Sequence, residues 1–340
     1  MATSVLFLRH SVRGIPDEIE LADGSIVKIQ TFSKQTLPLY ASPANTTLDG
    51  NISGTGWQLS EKLGKLLRTK YNNISIRANV STDRTVDTAI AIARGANIPY
   101  ISIYDGPIDP LFFPSDYYNY KLPPTALTEM QARYDNNMNH VNHVSSAITE
   151  TFGIPLPQDT KITLNNISGL LNIIAKFSQQ PNFSVLSNIN LGLTKTAMKS
   201  ISHGAVLHQF INNIPIYTQQ QCSNMAQFIL NTLMKNDNNT TILIGNDDTI
   251  SSLASLLDYK FRVPGWPTQF VTANGGFIFT LENNIVTVEF IGLNPHGKYK
   301  ITKVANPVNI NEFKVLIENK INGDYLNLSE IDRVTDCRVY

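Results

Sequence analysis

Residues 4–16 read SVLFLRHSVRGIP: a short apolar run that opens into two arginines and a histidine. A run of this length, bounded by polar residues, reads as a buried strand. Burying positive charge is costly unless an anion arrives to pair with it. The fold and the chemistry both turn on which anion meets Arg9 and Arg13, a side chain or a ligand.

Two further stretches repeat the pattern. Residues 75–81, SIRANVS, alternate like a strand and run into STDRTVDTAIAIARG, which reads as a cap, a helix and a stop at Gly95. Ser81, Thr82 or Asp83 would supply the capping side chain, and Arg84 falls at the helix start. Residues 240–245, TTILIG, form a third strand candidate, and NDDTISSLASLLDY after it a helix opened by Asp247 and Asp248. Between the first two lies GWQLSEKLGKLLR (56–68), an amphipathic helix with Leu59, Leu63, Leu66 and Leu67 on one side. Residues 105–124 are rich in Pro, Tyr and Phe and read as a loop. Residues 125–235 are mostly helical, with breaks at 153–157 and Pro181, and 275–282 with 285–291 flank Asn283-Asn284 as a hairpin. Strands alternating with helices, then a helical block, give an α/β sheet with a helical insertion. Ligands of such sheets bind beyond the carboxyl ends of the strands, where RHSVR, STDRT and GNDDT all fall.

Composition narrows the function classes. The 340 residues are 42% apolar, enough for one large domain or two ordinary ones. The 27 basic and 27 acidic residues cancel, which argues against a general nucleic-acid binder. No apolar run approaches the ~20 residues needed to cross a bilayer. Cys222 and Cys337 allow one disulfide or two free thiols, and two cysteines so far apart make neither a zinc site nor a redox CxxC. The opening MATSVLFLRH lacks the basic start and small-residue cleavage site of a secretory leader. An intracellular protein and a chain whose leader has been removed both fit.

Taken together, the three junctions offer Arg9, Arg13, Arg84, His10, Asp247 and Asp248. Guanidinium forks grip phosphate oxygens and stay charged. A histidine beside them can attack phosphorus, and a carboxylic acid opposite can protonate the departing alkoxide and later deprotonate water. Each element alone also has an ordinary structural reading. A strand-end arginine makes surface ion pairs, STDRT caps a helix, and acidic residues suit a helix start. His203 and His208, five residues apart, do not share a helix face and read as packing or hydrogen-bonded histidines rather than metal ligands. His140, His143 and His296 show no partner pattern.

RHSVRGIP resembles the R-H-G-x-R-x-P hallmark of the histidine acid phosphatases, with Ser11 for the usual Gly and the proline displaced to Pro16. ISGTGWQLSEKLGKLLR resembles the family's L-T-x-x-G…L-G-x-x-L-R helix, and STDRTVDTA its D-x-x-R-T-x-x-T/S-A segment. IDPLFFP resembles the D-P-L-F-x-P run of the bacterial phytase and glucose-1-phosphatase branch. ILIGNDDTISSLASLL sits where that branch has I-x-G-H-D-T-N-L-x-x-L, and VPGWP and Gly275-Gly276 are similar to the branch's next segments. The matching segments run in order from about residue 4 to 285.

The resemblance implies an acid phosphomonoesterase with a phosphoglycerate-mutase-like three-layer α/β/α domain (1–114 and 204–340) and an inserted helical domain (115–203). His10 would form a phosphohistidine, Arg9, Arg13 and Arg84 would hold phosphate, and Asp247 would donate the proton. A small-molecule phosphate monoester is the implied partner, with no metal or organic cofactor, no nucleic acid and no membrane insertion. The implied location is periplasmic or secreted, with which a Cys222–Cys337 disulfide would agree. One departure is Asn246, which stands where the family has a histidine as a phosphate ligand. Asparagine still donates but carries no charge, a loss of ~1–2 kcal/mol or about ten-fold in rate. Asp17-Glu18-Ile19-Glu20 is a second departure: carboxylates near the mouth would repel a heavily phosphorylated ring and favour a sugar or aryl monophosphate. The alternatives are a weakly active or inactive relative that binds phosphorylated ligands, a phytase, or a mutase, against which the D-P-L-F and G-N-D segments speak.

Overall fold

The computed structural model describes residues 2–12, 18–20, 26–28, 52–152 and 195–339. In chain order the elements are β1 (Thr3–Arg9), β2 (Glu18–Glu20), β3 (Ile26–Lys28), α1 (Gly54–Lys70), β4 (Ile74–Ala78), α2 (Asp83–Ala96), β5 (Tyr100–Tyr104) and α3 (Pro114–Tyr118). They continue with α4 (Pro124–Asn136), α5 (Met138–Phe152), α6 (Lys195–Asn212), α7 (Pro215–Met234), β6 (Thr240–Gly245) and α8 (Asp247–Leu256). The chain ends with β7 (Gly276–Glu282), β8 (Ile285–Leu293), β9 (Tyr299–Lys303), β10 (Val308–Asn309), α9 (Ile310–Lys320) and β11 (Val334–Arg338).

The main sheet runs β10-β8-β7-β1-β6-β4-β5-β11, with β9 also paired to β8. Its centre, β1-β6-β4-β5, is parallel, and β7 joins β1 antiparallel. Alternation along the central strands builds two cores. Leu6, Leu8, Ile242 and Ile244 meet Leu63, Leu67 and Ile92 of α1 and α2. Val5, Phe7 and Leu243 face the other way, onto Met225 and Ile229 of α7, Ile250 and Leu253 of α8, and Phe313 and Ile317 of α9. This is the expected three-layer α/β/α arrangement.

Most of the expected elements are present, and the differences have physical causes. Gly95 does not end its helix. The helix runs to Ala96 and stops at Asn97, which takes the left-handed conformation (φ 58°, ψ 43°) and donates its N–H back to Ala93 and Arg94. Gly95 is instead a contact point, since a Cβ there would lie 2.0 Å from the Glu61 carbonyl, and one on Gly64 would lie 2.1 Å from that of Ile92. The two glycines let α1 and α2 pack backbone to backbone. Capping by the Ser81–Asp83 side chains is also absent: Thr82 occupies the cap position, but its hydroxyl meets that of Thr85 instead. The loop at 105–124 contains α3. The hairpin turns on Asn283 and Asn284 at φ 51° and 62°, the paired left-handed residues of a two-residue turn. The expected breaks at 153–157 and Pro181 lie outside the described residues.

The disulfide alternative does not hold. Cys222 is buried on α7 and Cys337 is half-buried on β11, and both are free thiols. They belong to cores on opposite faces of the sheet. No described helix is long and apolar enough to cross a membrane.

Candidate active site

The parallel register sets the site. Arg9 lies opposite Gly245, and Ala78 opposite Ile244, so β1, β6 and β4 end side by side. The residues just past these strands are held by the backbone: the His10 N–H donates to the Gly245 carbonyl at 2.8 Å, and the Asn79 N–H to that of Ile244 at 2.9 Å. The loop after β1 is clamped from α1 and α2. The Ser11 hydroxyl donates to the Gly56 carbonyl at 2.8 Å, and the Ser11 N–H to the Thr88 hydroxyl at 3.0 Å. A Cβ on Gly56 would lie 2.3 Å from the Val12 carbonyl, so this clamp requires glycine.

Arg9 and His10 are only 2% and 1% exposed. Arg9 Nη1 donates to the Val271 carbonyl at 2.9 Å, and its Nε lies 3.5 Å from Asp247 Oδ1. His10 Nδ1 is 2.8 Å from the Ser11 carbonyl. A carbonyl only accepts, so Nδ1 carries the hydrogen, and the neutral form of the ring has its lone pair on Nε2. Arg84, in the first turn of α2, is half-buried, and its Nε is buried without a hydrogen-bond partner. Burial pushes its guanidinium down, the Asp247 charge opposes this, Arg9 adds to it, and Asp248 again opposes. Asp247 thus sits within the field of both arginines.

Asn246 follows β6 at the cap position of α8 and is 6% exposed. Asparagine there ordinarily accepts from the first turn, but this side chain makes no cap bond and its Oδ1 is buried without a partner. The structure therefore brings Arg9, His10, Arg84, Asn246 and Asp247 to one sheet end. Arg13 lies outside the described residues, as does Asp17, and of Glu18 and Glu20 only the backbone of β2 is described.

Asp248 turns away from Asp247. It opens onto a cavity of about 270 Å³ lined by Asp116, Tyr120, Tyr217 and Gln221, among others. Desolvation by the neighbouring protein pushes its carboxyl up, and Asp247 adds to this. His208, a hydrogen bond from Gln209 Nε2 and Arg9 pull the other way. The histidines set aside from metal binding have ordinary contacts: His208 Nε2 accepts from Asn212 Nδ2 at 2.9 Å, and His143 lies 3.3 Å from the Ser200 hydroxyl. Among the described residues no group of three or more His, Cys, Asp or Glu side chains could hold a metal ion.

Two residues here carried no sequence signal strong enough to be singled out. Asn79 is fully buried just past β4, with its Nδ2 unpartnered; the trace was an asparagine ending an alternating strand. Gln209 reaches Asp248 from α6 across a separation that local pattern does not encode. The IDPLFFP segment, by contrast, has a structural reason. Asp109 holds Arg77 through Nη2 at 2.8 and 2.9 Å, and Arg77 Nη1 donates to the Ile331 carbonyl at 2.8 Å.

No protein-family model matches the chain, and no curated protein matches it. Solved structures do. The phytase of Klebsiella sp. ASR1 superposes at a TM-score of 0.75 with 13% identity, covering 96% of this chain and 96% of its own. The chain has the fold of the bacterial phytases. Hafnia alvei phytase in complex with myo-inositol hexakis sulphate superposes at 0.76 with 14% identity, over 96% of this chain and 98% of its own. Citrobacter braakii phytase does so at 0.74 with 12% identity, over 95% and 98%.

Proposed function

We propose that the protein is an acid phosphomonoesterase that works through a phosphohistidine on His10. The observation that carries this is the convergence of two arginines, a histidine with its lone pair on Nε2, and a carboxyl group at the carboxyl ends of adjacent parallel strands. The unpartnered Arg84 Nε is what an arriving phosphate oxygen would satisfy. In this reading Nε2 attacks phosphorus while Arg9, Arg84 and Arg13 hold the equatorial oxygens and the charge that grows on them. Asp247 protonates the leaving alkoxide, then takes a proton from the water that frees His10. Asn246 supplies a neutral hydrogen bond to the phosphoryl group. The chemistry needs no cofactor.

The substrate class proposed is a small monoester such as a sugar or aryl phosphate. Asp17, Glu18 and Glu20 in the sequence, with Asp248 and Asp116 facing a cavity, would repel a heavily phosphorylated ring. Residues 115–203 would form a helical insertion walling the pocket, between catalytic segments 1–114 and 204–340. A periplasmic or secreted location fits the same reading. The second reading, a receptor for phosphorylated ligands with little or no turnover, is favoured by Asn246 standing where the resemblance calls for histidine.

The deciding experiment is hydrolysis of p-nitrophenyl phosphate from pH 3 to 8 by wild type, His10→Ala, Asp247→Asn and Asn246→His, with inorganic phosphate binding measured alongside. Acid-optimal activity that vanishes in His10→Ala and rises in Asn246→His supports the phosphatase. Phosphate binding without turnover in wild type overturns it in favour of the receptor.

A further inference from the structure

A second cavity, of about 490 Å³, is walled by α6, α7, α8, the segment after α8 and the end of α9. That volume is in the range of small-molecule sites. The cavity meets α8 at Ser251, about one turn beyond Asp247. Arg9, His10, Arg84, Asn246 and Asp247 take no part in its wall.

The buried polar groups of this wall are uncharged. Gln209, Asn213 and Ser251 are only 9%, 8% and 7% exposed. Ser251 Oγ is buried without a hydrogen-bond partner, a standing cost that a ligand hydroxyl would relieve. The charges at the rim are mostly answered already. Arg133 donates to the Phe210 and Asn213 carbonyls and to Glu129 Oε1, Lys320 pairs with Asp258, and Lys260 is exposed. Aromatic rings complete the wall. Tyr259 and Phe261 are buried, whereas Phe210 is 52% exposed.

We propose that this cavity is a binding site for a neutral sugar of one or two rings, separate from the candidate active site. Amides and hydroxyls both give and take hydrogen bonds, which suits a ligand whose own hydroxyls do both. An aromatic face packs on the apolar C–H face of a pyranose ring. A charged ligand would instead be desolvated against uncharged groups, beside cations already engaged. The site stands whether or not His10 turns over phosphate.

The test is a saturation-transfer NMR titration of the whole chain with D-glucose, and with D-gluconate in parallel. Inorganic phosphate is present throughout to occupy the candidate active site. D-glucose should bind with a Kd on the order of 1 mM, and D-gluconate more weakly. Ser251→Leu, which fills the cavity, and Phe210→Ala, which removes the exposed ring, should each weaken D-glucose about ten-fold. If Ser251→Leu does not fold, Phe210→Ala decides, because half of that side chain already lies in solvent. No transfer to D-glucose, D-gluconate binding as tightly as D-glucose, or unchanged D-glucose affinity in Phe210→Ala overturns the proposal.

Discussion

Arg77 and Arg84 lie on either side of one strand-to-helix junction, and their surroundings differ in a telling way. Arg77, at the end of β4, is buried and fully answered: Asp109 takes it two-handed and the Ile331 carbonyl takes a third N–H. Arg84, in the first turn of the next element, keeps a buried Nε with no partner and shares the Asp247 charge with Arg9. A buried charge paired within the protein serves the fold, and removing one partner is costly. A buried donor left unpaired carries a standing cost of about 1–3 kcal/mol, which a ligand can relieve. The same residue type is thus fully answered by the protein on one side of the junction and keeps an unanswered donor on the other.

The contrast can be broken at either end. The largest effect is expected at the proposed nucleophile. His10→Ala should lower phosphatase turnover by about 10⁴-fold or more while the urea midpoint stays near that of wild type. At the closed pair the outcome should invert. Asp109→Ala, which strands Arg77, should cost about 3–5 kcal/mol of stability, read as a lower urea midpoint, and the protein still folded should keep its specific activity. If Asp109→Ala left stability unchanged, the distinction between the two clusters would fail. A smaller effect sharpens the open side: inorganic phosphate at about 100 times its Kd should stabilise the native state by ~2.7 kcal/mol, and Arg84→Met should abolish most of that gain in a thermal shift.

The smallest effect concerns pH. Burial and Asp247 raise the Asp248 carboxyl. An acid whose folded pKa lies above its unfolded one stabilises the fold below the unfolded pKa and loses that contribution as pH rises through the folded pKa. Asp248→Asn should therefore gain thermal stability over wild type as pH climbs from below the ordinary carboxylate range toward neutrality. Melting curves whose separation is constant across that span would count against the raised carboxyl.

What the sequence made legible was what short-range pattern encodes. VLFL and ILI are apolar runs with polar ends, GWQLSEKLGKLLR repeats at helical spacing, and Asn283-Asn284 suits a two-residue turn, so β1, β6, α1 and the hairpin could be read directly. Arg9, His10, Arg84, Asn246 and Asp247 were findable because each sits at a strand end where a parallel sheet gathers ligands. Gly95 was misread because local punctuation and close packing demand the same residue, and only the neighbouring Glu61 carbonyl tells them apart. Thr82 looked like a cap because its hydroxyl could serve, but Thr85 offered it a partner. Gln209 on Asp248, and Asp109 on Arg77, are contacts across 39 and 32 residues, which no window of sequence displays. The IDPLFFP resemblance marked Asp109 as notable without saying that its task is to hold an arginine.

The position of β1 has a consequence for biosynthesis. The first strand of the chain lies between β6 and β7, so its neighbours on either side do not exist until residues 240–245 and 276–282 have been made. At ribosomal speeds of about 5–20 residues per second, its apolar run waits some tens of seconds for a partner. During that interval it is an unpaired, hydrophobic edge that a chaperone would find. Truncation before β7 should leave no competent site, because Arg9 and His10 would then lie at the end of a strand with one edge unpaired.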